Sequence, residues 1–186
     1  MPRVMPDSPL RFTLGSGQSL PCHLSWRLED GYLRMTNWSE QAETITLGIW
    51  GPGELVIPSL IGLEPIELVT LSAVQVVESK ATLQDERRFL INQVGQASSL
   101  LLLSRIRPVE SRLFQLLLWL GERFGRVSRR GVSLSFQEMN LTHRHLAEIA
   151  GMTRVTVTKA LSHYRQAGMM VREGNDELLV SAGPRS

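Results

Sequence analysis

Residues 143–162 read HRHLAEIAGMTRVTVTKALS, and the spacing within this stretch decides how the C-terminal part of the chain folds. Counted from His143, a small residue falls fifth (Ala147) and a glycine ninth (Gly151), with apolar side chains at Leu146, Ala150, Met152, Val157 and Ala160. Two helices that cross steeply need a small side chain at their closest approach, which Ala147 supplies. The tight turn between them needs a residue that accepts positive φ, which Gly151 supplies. Thr142 and Thr153 stand where the N-caps of the two helices belong. The pattern predicts a helix-turn-helix whose second helix spans Arg154–Arg165.

That second helix buries Val157, Ala160 and Leu161 and turns Arg154, Val155, Thr156, Thr158, Lys159 and Ser162 outward. The first turn of such a helix is the part that enters a major groove. An arginine there can bond both guanine acceptors, a valine can meet a thymine methyl, and threonine and lysine can hold phosphates. Downstream, Met169–Val171 and Leu178–Val180 flank Gly174-Asn175, which predicts a hairpin and so a winged helix-turn-helix. Charge agrees with a polyanion partner at this end. Residues 1–106 hold 8 Lys and Arg against 11 Asp and Glu, whereas residues 107–186 hold 12 against 7.

Upstream of this motif, Arg112–Phe124 is an apolar-periodic helix after the break at Pro108, and Gly125–Gln137 reads as a loop or a short strand pair. Residues 82–107 lack proline and place Leu90, Val94, Ala97, Leu101 and Ser104 at alternating spacings of four and three, one seam of a long helix. Phe89, Leu100 and Leu103 give it a second apolar face, so it suits pairing with its own copy as well as covering the strands. Residues 10–78 are short strands punctuated by Gly15–Gly17, Asp30-Gly31 and Gly51-Pro52-Gly53. Trp26/Leu28, Leu33/Met35 and Val74/Val76 keep a period of two, and Ile45, Leu47 and Ile49 alternate with Thr44, Thr46 and Gly48 as one half-buried strand. These features predict an α+β chain: a small antiparallel barrel or sandwich over 1–81, a dimerisation helix over 82–107 and a winged helix-turn-helix over 108–186.

LTHRHLAEIAGMTRVTVTKAL with its following wing resembles the C-terminal domain of the cyclic-AMP receptor protein/fumarate-nitrate regulator superfamily, and TRVTVT is very similar to the recognition helix of its cyanobacterial nitrogen-control regulators. EDGYLRM and LGIWGPGEL resemble the glycine-containing turns of that superfamily's β-roll, here shortened at its start. The resemblance implies a cyclic-nucleotide-binding-like β-roll and a homodimer on duplex DNA next to RNA polymerase, and the chain is expected in the cytoplasm. It places Arg154 as the guanine reader, Val155 where the cyclic-AMP type has a glutamate, Lys159 where an arginine is usual, and Thr142, Thr153 and Thr156 at phosphates. With His143, Arg144 and Thr158, these make up the expected DNA-contacting set.

Neither a cyclic nucleotide nor oxoglutarate is expected in the roll. Gly53-Glu54-Leu55 is followed by Val56–Val77 without an Arg or Lys to meet a cyclic phosphate, and the resemblance puts Glu64 and Gln93 where oxoglutarate-holding arginines stand. Glu40, Glu43, Glu54, Glu64, Glu67 and Glu78 add negative charge, while Trp38 and Trp50 leave room for a neutral pocket. Three other classes compete with this one: a regulator gated by an unidentified small molecule in the β-roll, a module that uses the wing for protein contacts, and a cupin-like enzyme. The enzyme needs a histidine cluster, and the strand region has only His23. His143 and His145 read as solvated helix-end side chains, not zinc ligands, and no cofactor is called for. The single Cys22 precludes a disulfide within the chain and reads as a small buried residue in a strand. MPRVMPDSPL has no apolar run of signal-peptide type, and no stretch is long enough to span a membrane.

Overall fold

A computed structural model describes residues 9–38 and 44–180, so the first eight residues, Glu40 and Glu43 lie outside it. Eight strands come first: β1 (Arg11–Leu14), β2 (Ser19–Leu20), β3 (Trp26–Asp30), β4 (Leu33–Trp38), β5 (Thr44–Trp50), β6 (Leu55–Val56), β7 (Ile66–Thr70) and β8 (Val74–Glu78). They form two four-stranded antiparallel sheets, ordered β1-β8-β3-β6 and β2-β7-β4-β5. Trp26, Leu28, Val74 and Val76 of the first sheet meet Leu33, Met35 and Leu68 of the second in one apolar core, as the period of two requires. This is the expected antiparallel β-roll.

One strand departs from its apparent period. The register of β4 against β5 runs Met35 to Gly48 and then Thr36 to Thr46, so Leu47 is the extra residue of a bulge. A bulge reverses the side-chain phase. Leu47 therefore packs on the roll core, Ile49 faces the helical cluster, and Ile45 is 47% exposed. Gly48 leaves space for Trp50, because a Cβ there would come within 2.6 Å of the indole. Trp50 is buried and stacks on Phe89 at 6.0 Å, while Trp38 is exposed, so the two do not line a shared pocket. Nor is the roll lined with acid: Glu54, Glu67 and Glu78 are only half-buried, Glu64 is exposed, and apolar side chains fill the interior. Cys22 sits half-buried in the turn after β2 and not in a strand, where burial pushes its thiol pKa up.

Helix α1 (Leu83–Arg105) starts at a capping box in which the Thr82 hydroxyl accepts the Asp85 N–H and the Asp85 carboxylate accepts the Thr82 N–H. It runs along the open edge of β5. Gln93 Nε2 donates to the Leu47 carbonyl at 2.9 Å, and the Ile49 N–H donates to Gln96 Oε1 at 2.7 Å, which covers edge groups that water would otherwise meet. Phe89 is buried, whereas Leu90, Val94, Ala97, Leu101 and Ser104 are all exposed on the other side.

The remainder comprises α2 (Val109–Phe124), β9 (Arg126–Ser128), β10 (Gly131–Leu134), α3 (His143–Ala150), α4 (Arg154–Gln166), β11 (Met170–Glu173) and β12 (Asp176–Val180). The last four strands form an antiparallel sheet in the order β11-β12-β10-β9. Leu113, Leu116, Leu117 and Leu120 of α2 pack with α3 and α4, and the same cluster takes in Tyr32, Ile49 and Leu71 of the roll. Polar ties cross the same junction. Glu54 accepts from Asn92 and Arg123, and Asn140, at φ 51, donates to Ser16 Oγ and the Leu71 carbonyl.

Candidate nucleic-acid interface

Helices α3 and α4 take the relation that their sequence demands. Ala147 is buried at the crossing, and Gly151 turns the chain at φ 61 and ψ 54, with its N–H and that of Met152 both donating to the Ala147 carbonyl. Thr142 Oγ1 accepts the His145 N–H at 3.1 Å, and Thr153 Oγ1 accepts the Thr156 N–H at 3.1 Å. A threonine that caps through its oxygen retains a hydroxyl hydrogen for an outside acceptor.

Val157, Ala160, Leu161 and Tyr164 anchor one side of α4. The Tyr164 hydroxyl donates to the Glu110 carbonyl of α2, and burial pushes its pKa up to about 12. The opposite side presents Arg154, Val155, Thr158 and Lys159, all exposed, with Val155 at 62%. Thr156 is half-buried, its hydroxyl 2.9 Å from that of Thr153. On α3, Arg144 is exposed and paired with Glu148 at 2.9 Å, one turn on. Neither helix-end histidine is simply solvated. His143 Nδ1 lies 2.9 Å from Thr158 Oγ1, and His145 Nδ1 donates to the Asn140 carbonyl at 2.7 Å. His143 meets Thr158 across the turn, Arg154, Val155, Thr158 and Lys159 share the exposed side of α4, Thr142 and Thr153 cap the two helices, and Arg144 is turned onto Glu148.

Three supports escape sequence reasoning. Arg112, only 6% exposed, donates from Nη1 to the Ala150 and Gly151 carbonyls and from Nε to that of Ile106. A cation at the C-terminus of α3 satisfies carbonyls that the helix cannot, and it fixes the turn before α4. Arg165 at the far end of α4 is held by Glu177 of β12 at 2.6 Å. Arg126 and Arg130 on the β9–β10 hairpin pair with Asp176 and Glu173, which ties that hairpin to the wing. Arginines in amphipathic stretches carry no local mark of such roles.

Among the described residues no helix is long and apolar enough to cross a membrane, and no group of three His, Cys, Asp or Glu side chains is placed to hold a metal ion. A β-roll joined by a long helix to a winged helix-turn-helix is the build of a DNA-binding transcription regulator. The sequence pattern of the Crp-like helix-turn-helix domain matches residues 111–181. The chain is 34% identical over 190 residues to the regulatory protein CysR of Synechococcus elongatus, covering 100% of this chain and 91% of CysR. Its fold is shared by FixK2 of Bradyrhizobium japonicum (TM-score 0.70, 17% identity, 92% of each chain). A CRP-family regulator of Thermus thermophilus shares it too (TM-score 0.68, 16% identity, 92% of each chain). The chain belongs to the Crp/Fnr family of transcription regulators.

Proposed function

We propose that two copies pair along the exposed seam of α1 and bind a pseudo-palindromic operator in the cytoplasm with no cyclic nucleotide or oxoglutarate. The functional division is residues 1–81 as a packed roll, 82–107 as the pairing helix and 108–186 as the DNA-reading domain. The observation that carries this is the outward row Arg154, Val155, Thr158 and Lys159 on a helix whose other side is wholly anchored. Arg154 reads guanine and Val155 meets a thymine methyl, so half-sites resembling GTA and TAC lie with centres about one helical turn apart. Thr142, Thr153, Thr156, Arg144 and Lys159 hold backbone phosphates, and RNA polymerase is the partner at the bound promoter. The apolar filling of the roll supports effector independence.

A second reading, effector gating, draws on a cavity of about 210 Å³ outside the roll, where Ile45, Leu100, Leu103, Arg112 and Glu148 meet. One experiment addresses both. Ligand-free protein selects from random duplexes, then the selection is repeated with saturating cyclic AMP, cyclic GMP or oxoglutarate. Recovery of the palindrome without additive is expected. A single half-site, or a gain of about tenfold with any of these ligands, about 1.4 kcal/mol of coupling, overturns the reading.

A further inference from the structure

His143 stands first in α3 and is tied across the turn to α4 through Thr158. The Thr158 hydroxyl donates to the Arg154 carbonyl one turn earlier, at 3.0 Å. A hydroxyl has one hydrogen, so its oxygen accepts from His143 and the ring hydrogen sits on Nδ1. In the neutral ring Nε2 then carries a bare lone pair. A phosphate oxygen can only accept, so neutral His143 in this tautomer has nothing to give a phosphate. The imidazolium does, at Nε2.

The position invites a phosphate. Thr158 and Arg154 lie on the face of α4 proposed to meet the duplex, and Thr142 caps α3 next to His143, at a helix N-terminus where anions are favoured. In the free protein the surroundings work against a charged ring. Partial burial holds the imidazole below its ordinary pKa, and the positive charges of Arg154 and Arg165 add to the effect. Lys159 and His163 are further exposed basic groups on α4. On α3, Arg144 is turned onto Glu148 and His145 onto the Asn140 carbonyl, while Glu148 is also held by Arg34 and Glu177 of β12 by Arg165. These carboxylates are each engaged by an arginine. A docked phosphate brings the missing negative charge.

We propose that His143 binds a DNA phosphate as the imidazolium, so that each protomer takes up one proton from solvent at Nε2 when it docks on the duplex. This rests on the reading of α4 as the recognition helix. It makes DNA binding proton-linked. The bound state holds the extra proton, so affinity rises as pH falls, by up to about tenfold per pH unit for each protomer between the free and bound pKa values.

The test is operator affinity by fluorescence anisotropy at fixed ionic strength from about pH 8.5 to about pH 5.5, the range in which histidine titrates. The probe is a short duplex carrying the GTA and TAC half-sites. Calorimetry in two buffers of different ionisation enthalpy counts the protons. Wild-type affinity is expected to rise by roughly tenfold or more on acidification, with net proton uptake. His143→Asn offers Thr158 a neutral donor in place of Nδ1, and it is expected to flatten the profile and remove the uptake. A flat wild-type profile overturns the proposal, as does a His143→Asn profile that keeps the wild-type slope. Absence of duplex binding at every pH instead removes the recognition-helix reading, and this inference with it.

Discussion

Arg34 of the β-roll and Glu148 of the first helix of the helix-turn-helix are joined by a 2.7 Å ion pair, although 114 residues separate them in the chain. The guanidinium is almost wholly buried, and its Nε and Nη1 have no partner among the described residues. Glu148 is a quarter exposed and also bonded to Arg144, so the two ends of the bond are unequal. Removing the carboxylate strands a buried charge. Removing the guanidinium leaves a carboxylate that keeps a partner and reaches water.

Glu148→Ala is therefore expected to lower the unfolding free energy by roughly 3 kcal/mol, and Arg34→Met, which keeps the apolar bulk, by much less. Urea titration of the two variants checks the order, and equal losses would contradict it. The pH dependence follows from the same contact. Burial raises the Glu148 pKa, but the bonds from Arg34 and Arg144 outweigh it and hold the carboxyl below its usual range. A depressed folded pKa stabilises above the unfolded value and ceases to do so as pH falls through the folded one. Hydrogen exchange in α3 is expected to accelerate only below about pH 4 in the wild type, and Glu148→Ala is expected to lack that acid step.

Arg112 is the second buried guanidinium, and it acts on the turn and not on the roll. Arg112→Leu leaves the Ala150 and Gly151 carbonyls without their cationic donor and is expected to cost about 2–4 kcal/mol of stability. Arg112→Lys keeps the charge but not the spread of donors, and it is expected to recover part of the loss. At temperatures where both variants remain folded, weaker DNA binding by Arg112→Leu is expected, because α4 is no longer held at a fixed angle. Circular dichroism melts and anisotropy with a common duplex separate the two effects.

How much of this was legible depends on range. Gly151, Thr142 and Thr153 were readable because caps and a left-handed turn are set by neighbours a few residues away. Val157, Ala160 and Leu161 were readable because helix period alone places them inward. The strand Thr44–Trp50 was misread at Leu47, since a bulge is set by pairing with β4 and not by the strand's own alternation. Arg34, Arg112 and Asn140 each act through a partner 38 to 124 residues away, and no local pattern marks those contacts. His143 and His145 look like solvated helix-end side chains in the sequence for the same reason. Their acceptors, Thr158 and the Asn140 carbonyl, are chosen by the packing of α3.

The exposed seam of α1 yields a prediction about assembly. Val94 is 65% and Leu101 60% exposed, and Ala97 and Ser104 complete the same stripe. Val94→Asp with Leu101→Asp places like charges opposite each other in a self-paired helix. Sedimentation equilibrium is expected to show a monomer with an unchanged melting curve at concentrations where the wild type is expected to pair. Operator affinity is expected to fall by about 100-fold or more, as the second half-site ceases to be an intramolecular contact. A double variant that remained dimeric would move the interface elsewhere.

Within α4, base reading and phosphate holding separate by what they do to binding of unrelated DNA. Arg154 is exposed at the first position of the helix, free of any carboxylate among the described residues, and its guanidinium can span the O6 and N7 acceptors of guanine. Arg154→Ala is expected to cost roughly 1–3 kcal/mol on the operator, with a smaller loss on unrelated duplex, and to relax the preference at that guanine. Thr142 caps α3 through its oxygen and retains a hydroxyl hydrogen to donate, so Thr142→Ala is expected to weaken all duplexes alike while also removing about 1 kcal/mol of helix cap. Val155 is 62% exposed beside Arg154 and its side chain has no polar group to lose, so Val155→Glu is expected to fold normally and to shift the favoured base next to the guanine towards cytosine, whose amino group a carboxylate accepts. Competition binding against a panel of single-base operator variants measures all three. An equal loss on operator and unrelated DNA for Arg154→Ala would reassign that side chain from the bases to the backbone.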